Sequence, residues 1–397
     1  MFGRKITKTQ KWNVAVMQLQ KIRFYHLHKQ NLHKKADPDE YRKLLMDHIA
    51  LHSTDYLTPY ISLWARVKEF DPKVLFNDLN DPFNALRIRL FRGTVFVIPQ
   101  ENLKNLLGAS KIFLASILKQ NEKFLLKAGF DLVTIEQELG RLLSQKKELS
   151  ANELKKQLPE YLKGEFLSYA LRYFEFAGML VRTNHRYLTD RVIRYGLMTE
   201  WFPEIVQNEL DPEQALQSLI LQYIKKFGPI CLDDLFWWLS ITKTIARKNL
   251  AALKKKLVAI DFNGQEYYME TEDFESFNEF RIDKNNVPII HFLPYEDHFP
   301  KAYFIRNWLI SDEVAALVYK EGVIFRGQIF PSIWLNGEII GGWEMNWVDK
   351  KKTEMKVSVT AINENKKLSN QIHDQIESQR VDLERFINEK IIPLMSK

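Results

Sequence analysis

Residues 215–269 read ALQSLILQYIKKFGPICLDDLFWWLSITKTIARKNLAALKKKLVAIDFNGQEYYM, and this stretch decides the fold. Leu216, Leu219, Ile220, Tyr223 and Ile224 recur at helical spacing, and the run stops at Gly228-Pro229, so a first amphipathic helix is expected there. Residues 231–239 form a short apolar helix, and Ser240-Ile241-Thr242 turns into a third helix with Thr242 placed as its N-cap. Two β-rich runs then flank Asn263-Gly264, the strongest short hairpin signal a sequence offers. Helix, helix, helix and hairpin in that order spell a winged helix-turn-helix. The third helix and its tail carry Lys243, Arg247, Lys248, Lys254 and Lys255, and no acid lies between Asp234 and Asp261. Such a helix suits a phosphate-lined groove. Two plainer readings stay open: a solvated helix face, and a winged helix used as a protein-interaction module.

Working outward, the same order recurs twice upstream. Residues 85–99, ALRIRLFRGTVFVIP, alternate as a hairpin around Arg92-Gly93-Thr94 and place Arg87 and Arg89 on one face. Arg87, Arg89 and Arg92 either grip backbone phosphates or form the polar outer side of a half-buried hairpin. Ahead of them lie a basic aromatic helix at 21–32, a helix opened by Asp37-Pro38, and an apolar helix starting near Pro59. Between the last two, His52-Ser53-Thr54-Asp55-Tyr56 interrupts the helical pattern as a polar elbow, the kind of place where function is exposed. His26, His28 and His33 lack a partnering carboxylate pattern and are expected to face solvent or DNA rather than a metal. From 113 to 198 come further helices and the run LVRTNHRYL, in which Asn184 supports a turn.

Beyond Glu270 the character changes to β-patterned runs with turns at Asn336-Gly337 and Gly341-Gly342, then a closing helix with apolar residues every three to four positions. The fold class expected is therefore α+β, with three tandem winged helix-turn-helix units and a small C-terminal β-barrel. The expected division is a basic arm at 1–20, winged helices at 21–110, 111–205 and 206–270, and the barrel with its closing helix at 271–397.

The 397 residues are too many for one winged helix and suggest roughly two to four domains. An apolar fraction of 46% with 13% aromatics excludes global disorder. The excess of 57 basic over 50 acidic residues leans toward a polyanionic partner, double-stranded DNA. The single cysteine, Cys231, reads as a buried core thiol, and no Cys/His spacing suggests zinc. With no membrane-length apolar run and no signal peptide, the expectation is a cytoplasmic monomer without cofactor or metal.

Across residues 27–357 the sequence resembles the AlkZ-like winged-helix proteins, a bacterial family that includes DNA glycosylases which unhook crosslinked or alkylated purines. The resemblance is carried by LTPYISLWARVKEFDP at 57, LFRGTVFVIPQENL at 90, YIKKFGPICLDDLFWWLSITKTIARKNLAAL at 223, HFLPYEDHFPKAYFIRN at 291 and SIWLNGEIIGGWEMNW at 332. It implies three winged helices and a barrel forming a basic channel for duplex DNA. The family's Gln-x-Gln or Gln-x-Asp motif aligns with His52-Ser53-Thr54, so neither glutamine is present, and Phe96 stands where the family's wing usually carries histidine. Gln18-Leu19-Gln20 matches the motif in letters but lies well upstream of the elbow.

The resemblance then assigns His52, Thr54 and Asp55 as the candidate catalytic set. An N7- or N3-alkylated purine is a cationic leaving group, so a protein need only orient water toward C1′ and stabilise developing charge on the sugar. His52 has the ordinary pKa range for holding or deprotonating that water, Thr54 supplies one hydrogen bond and Asp55 negative potential. The competing expectations are a non-catalytic winged-helix DNA-binding protein or transcriptional regulator, and a protein-interaction scaffold.

Overall fold

A computed structural model of the chain describes residues 19–80, 83–160, 165–183, 186–262, 264–282, 288–306, 308–318, 327–363 and 367–395. Most of the expected N-terminal arm, Gln18, the turn residues Asn184 and Asn263, and residues 319–326 of the C-terminal β-rich run lie outside them. The protein mixes helices with small antiparallel sheets and divides into two compact units. One comprises residues 49–56, 71–219 and 393–397, the other residues 1–48, 57–70 and 220–392.

The first unit, called here the elbow unit, holds two three-stranded antiparallel sheets. β1 (Leu51–His52), β2 (Ala85–Arg89) and β3 (Val95–Pro99) pair in the order β1-β3-β2. The β2–β3 turn is made by Arg92 and Gly93, both at positive φ (55° and 70°), as the Arg-Gly-Thr run predicts. β4 (Leu149–Ser150), β5 (Leu180–Arg182) and β6 (Arg194–Leu197) repeat that order as β4-β6-β5.

The strand pairing β5 is β6 rather than residues 186–188 at the end of the run LVRTNHRYL. The reason is Asp190, a buried carboxylate that accepts from the amides of Arg186 (3.1 Å) and Val192 (2.9 Å) and from the Arg194 guanidinium (3.0 Å), so the chain turns around it before pairing. Behind these sheets the core is rich in leucine. On the Leu132–Lys146 helix, Ile135, Leu139, Leu142 and Leu143 fall on one buried face, and Asp131 caps its start by accepting from Val133 N (3.1 Å).

The second unit, the helix unit, contains the stretch from which the fold was read. The Pro212–Phe227 helix, whose residues from Ile220 on belong here, is followed by Leu232–Leu239 and Lys243–Leu253. The stops are where the sequence puts them: Ser240 ends the second helix in a left-handed conformation (φ 59°), and Thr242 Oγ1 accepts from Ile245 N at 3.2 Å. β7 (Ile230–Cys231), β8 (Leu257–Phe262) and β9 (Gln265–Glu270) complete a third sheet in the order β7-β9-β8, with Phe262 opposite Gln265. Cys231 is buried, and burial pushes its thiol up to about 12.

The expected barrel is replaced by an open sheet among the described residues. β10 (Ile290–Leu293), β11 (Ser332–Leu335), β12 (Glu338–Trp347) and β13 (Met355–Ile362) pair in sequence, leaving β10 and β13 at opposite edges. Asn336 and Gly337, both at positive φ (52° and 82°), form the tight β11–β12 turn that an Asn-Gly pair favours. The β13 edge is taken up by the closing helix, Asn370–Phe386, and the turn after it. Val357 N donates to Glu384 (2.8 Å), Arg380 donates to Val357 O (3.0 Å), and Asn388 bonds both backbone groups of Met355 (2.8 Å each). Side chains thus satisfy edge groups that barrel closure would otherwise pair.

The N-terminal helix, Leu19–Lys29, is also part of the helix unit. His26 on it is fully buried, its ring 5.0 Å from Trp308 and 5.7 Å from Phe299 and Tyr303, rather than facing solvent or DNA. Helical spacing carries both an outer face and an inner one, and His26 falls on the inner one between Tyr25 and Leu27. His28 and His33 are exposed, as expected.

Candidate active-site elbow

The elbow is built by β pairing. Leu51 and His52 lie opposite Val97 and Phe96 of β3, and Ser53 N extends the ladder to Val95 O at 2.8 Å. The strand period of two then turns His52 and Thr54 to the same side, and Thr54 Oγ1 comes within 3.5 Å of His52 Nε2. At that separation the contact is weak, and both polar atoms are close enough to contact one shared hydrogen-bonding group. His52 is only 5% exposed, its ring edge-on to Phe96 at 5.3 Å and 82°, whereas Thr54 is exposed and Asp55 half-buried.

Phe96 in turn packs on Phe91 (5.3 Å), which packs on Phe113 (5.0 Å). The imidazole therefore rests on an aromatic floor with its Nε2 edge toward the exposed threonine. Of the three positions that depart from the expected family pattern, 52, 54 and 96, the first and last are direct cross-strand partners. At the elbow's beginning Ile49 adopts φ 69°, an uncommon conformation for a β-branched residue, with its carbonyl held by Asn102 Nδ2 at 3.1 Å.

The hairpin arginines have internal partners. Arg87 reaches from β2 to donate to Ser53 O at 2.8 Å, so it holds the elbow backbone. Arg89 donates to Gly93 O (2.9 Å) and pairs with Glu175 (3.0 Å), which also pairs with Arg182 (2.5 Å). Burial lowers the Arg89 pKa and the Glu175 carboxylate opposes that shift. Arg92 sits half-buried on the β2–β3 turn. Sequence spacing could not reveal Glu175, which lies 86 positions from Arg89.

In the helix unit, Lys243, Arg247, Lys248, Lys254 and Lys255 are all exposed. Lys243 pairs with Asp233 at 2.5 Å. Among the described residues no cluster of three or more histidine, cysteine or acidic side chains could hold a metal ion, and no helix is long and apolar enough to cross a membrane.

A profile of the family described as "DNA glycosylase AlkZ-like" matches residues 46–378, which spans the elbow and all four sheets. No curated protein matches the chain in sequence. Among solved structures, the chain is similar to Streptomyces sahachiroi DNA glycosylase AlkZ, with 16% identity and a TM-score of 0.72 over 94% of this chain and 96% of that one. At that identity the structural likeness speaks for fold.

Proposed function

The chain belongs to the AlkZ-like DNA glycosylase family, and we propose that it hydrolyses the N-glycosidic bond of N7- or N3-alkylated purines in duplex DNA. The observation that carries this reading is the cross-strand pairing of His52 with Phe96. The imidazole and the ring pack edge-on, so the elbow histidine is seated on a fitted aromatic surface with its Nε2 edge toward Thr54.

In the proposed step a water that contacts both His52 Nε2 and Thr54 Oγ1 from one side attacks C1′ as the bond from C1′ to the purine nitrogen breaks. The bond's electron pair neutralises the cationic base, which leaves. The water proton passes to His52, and Asp55 stabilises the oxocarbenium-like sugar. Arg87 fixes the elbow through Ser53 O, and phosphate contacts fall to Arg92, Arg247, Lys248, Lys254 and Lys255. Lys243 and Arg89 have acidic partners and contribute less.

We read the three sheets that share one strand order, with the helices preceding them, as winged helices. Their repeated topology supports that reading, and the β10–β13 sheet with its helix takes the place of the expected barrel. The working form is taken to be a monomer.

The test is excision of N7-methylguanine from a duplex, read as strand cleavage after heating in alkali. The expected result is cleavage by the parent, a fall of about 10²-fold or more in His52→Ala, and a smaller fall in Thr54→Ala. Cleavage no greater than in a protein-free control would leave the non-catalytic DNA-binding reading, which the shallow exposure of His52 favours.

A further inference from the structure

The elbow runs between two chain segments that the helix unit holds, the downstream one by Asp297 and the upstream one by the next residue, His298. On the downstream side is the Thr58–Trp64 helix and the turn after it. Asp297 accepts from Ser62 Oγ (2.7 Å) and takes both ends of the Arg66 guanidinium (2.8 and 2.9 Å), while Arg66 also donates to Ser62 O (2.9 Å). Thr58 Oγ1 donates to the neighbouring Tyr295 O at 2.8 Å. The Arg66 and Asp297 side chains are 0% exposed.

On the upstream side, His48, the residue immediately before the elbow, packs edge-on against His298 with ring centroids 4.4 Å apart, and its Nδ1 bonds Leu44 O at 2.7 Å. Asp297 also caps its own short helix by accepting from Phe299 N at 3.1 Å. The residue before it, Glu296, is held at φ 55° by reciprocal bonds with Ile329 (2.8 and 2.7 Å). A buried ion pair adds little net stability compared with a well-packed apolar pair of the same size. What it adds is a fixed geometry, and strained backbone gathers where geometry is over-determined.

We propose that Asp297, with Arg66 and Ser62, is a positioning residue for the elbow. By pinning the chain just downstream of residues 49–56, opposite the His48–His298 contact upstream, it fixes the separation at which His52 and Thr54 face each other. The inference rests on the proposed glycosylase reading for its catalytic consequence and on geometry alone for its structural one, so the test reads both.

The test variant is Arg66→Met with Asp297→Leu, which removes both charges together and keeps an apolar core; Ser62→Ala is the milder companion. Hydrogen exchange of the elbow amides is compared with that of the Leu132–Lys146 helix, and single-turnover excision of N7-methylguanine is measured beside duplex affinity. The expected result is a retained melting temperature, elbow exchange faster by about 10-fold or more, unchanged duplex affinity, and excision slower by about 10²-fold, the scale of an ångström-level misplacement. Ser62→Ala moves the same readouts in the same direction by less.

Unchanged elbow exchange in a folded double variant overturns the proposal. So does faster exchange with parental excision. If the double variant does not fold, Ser62→Ala alone decides by the same two readouts. A parent without excision removes the glycosylase reading, and the exchange comparison then decides the clamp by itself.

Discussion

The two basic surfaces read from the sequence have opposite fates. In the elbow unit, Arg87 and Arg89 turn inward, one onto the Ser53 carbonyl and the other onto Glu175. In the helix unit, the cations from Lys243 to Lys255 point outward, while Arg66 and Asp297 are buried together. A count of basic residues therefore overstates the charge available to a polyanion at the hairpin, where the side chains turn inward, more than at the helix, where they are exposed. Alternation on a strand cannot tell a solvated arginine from one that braces the next loop. On a helix whose opposite face carries Ala246, Leu250 and Leu253 into the core, the remaining positions must face out.

The sharpest contrast between the units is expected in acid. The helix unit buries His26, His48, His291 and His298. Burial, followed by Lys29, lowers His26; burial, followed by Lys226, lowers His48; and burial, followed by Arg66, lowers His298 and takes His291 to about 3. Since the unfolded chain binds these protons near the ordinary pKa of 6.5 and the folded one does not, stability is full above that pH and falls as pH drops below it. For His291 the loss continues down to about 3, and each such imidazole costs about 1.4 kcal/mol per pH unit within its window. Chemical denaturation followed between pH 7 and 5 should show the helix unit losing several kcal/mol, and hydrogen exchange should show the elbow unit's helices changing much less. Equal losses in both units would dissolve the contrast.

Next in size is the elbow unit's own buried charge. The Glu175→Leu substitution leaves Arg89 and Arg182 without their shared carboxylate and should cost about 3 kcal/mol or more by urea unfolding, a loss seated in stability rather than in DNA affinity. An unchanged unfolding midpoint would mean that these arginines are available after all. The smallest effect is on the helix surface: Lys254→Ala with Lys255→Ala should leave the melting temperature unchanged and lower the slope of log affinity against log salt by roughly 0.9 for each phosphate that is no longer neutralised. A slope equal to the parent's would place the duplex elsewhere.

Much of the fold was legible. The Thr242 cap, the Ser240 stop, the Gly228 boundary and the Asn336-Gly337 turn are each local events, decided by side chains within a few positions of the backbone they serve. The second hairpin was placed too early because Asp190 rewrites a loop through bonds that hydropathy does not register. A barrel was expected because β-rich runs do not say whether the last strand meets the first or a helix. The elbow could be located by its break in helical pattern, yet the contact between His52 and Phe96 is made across a register that no local signal encodes.

The sequence by itself determined the helix caps and stops around Thr242 and the tight turn at Asn336-Gly337, because periodicity, caps and turns act over a few residues of chain. Only the tertiary structure decided which charges remain free and what holds the elbow. The partners concerned are 86 positions apart for Arg89 and Glu175 and 231 apart for Arg66 and Asp297. An ion pair forms where folding removes two groups from water together, and that meeting is set by the packing of whole elements rather than by any stretch that could be read alone.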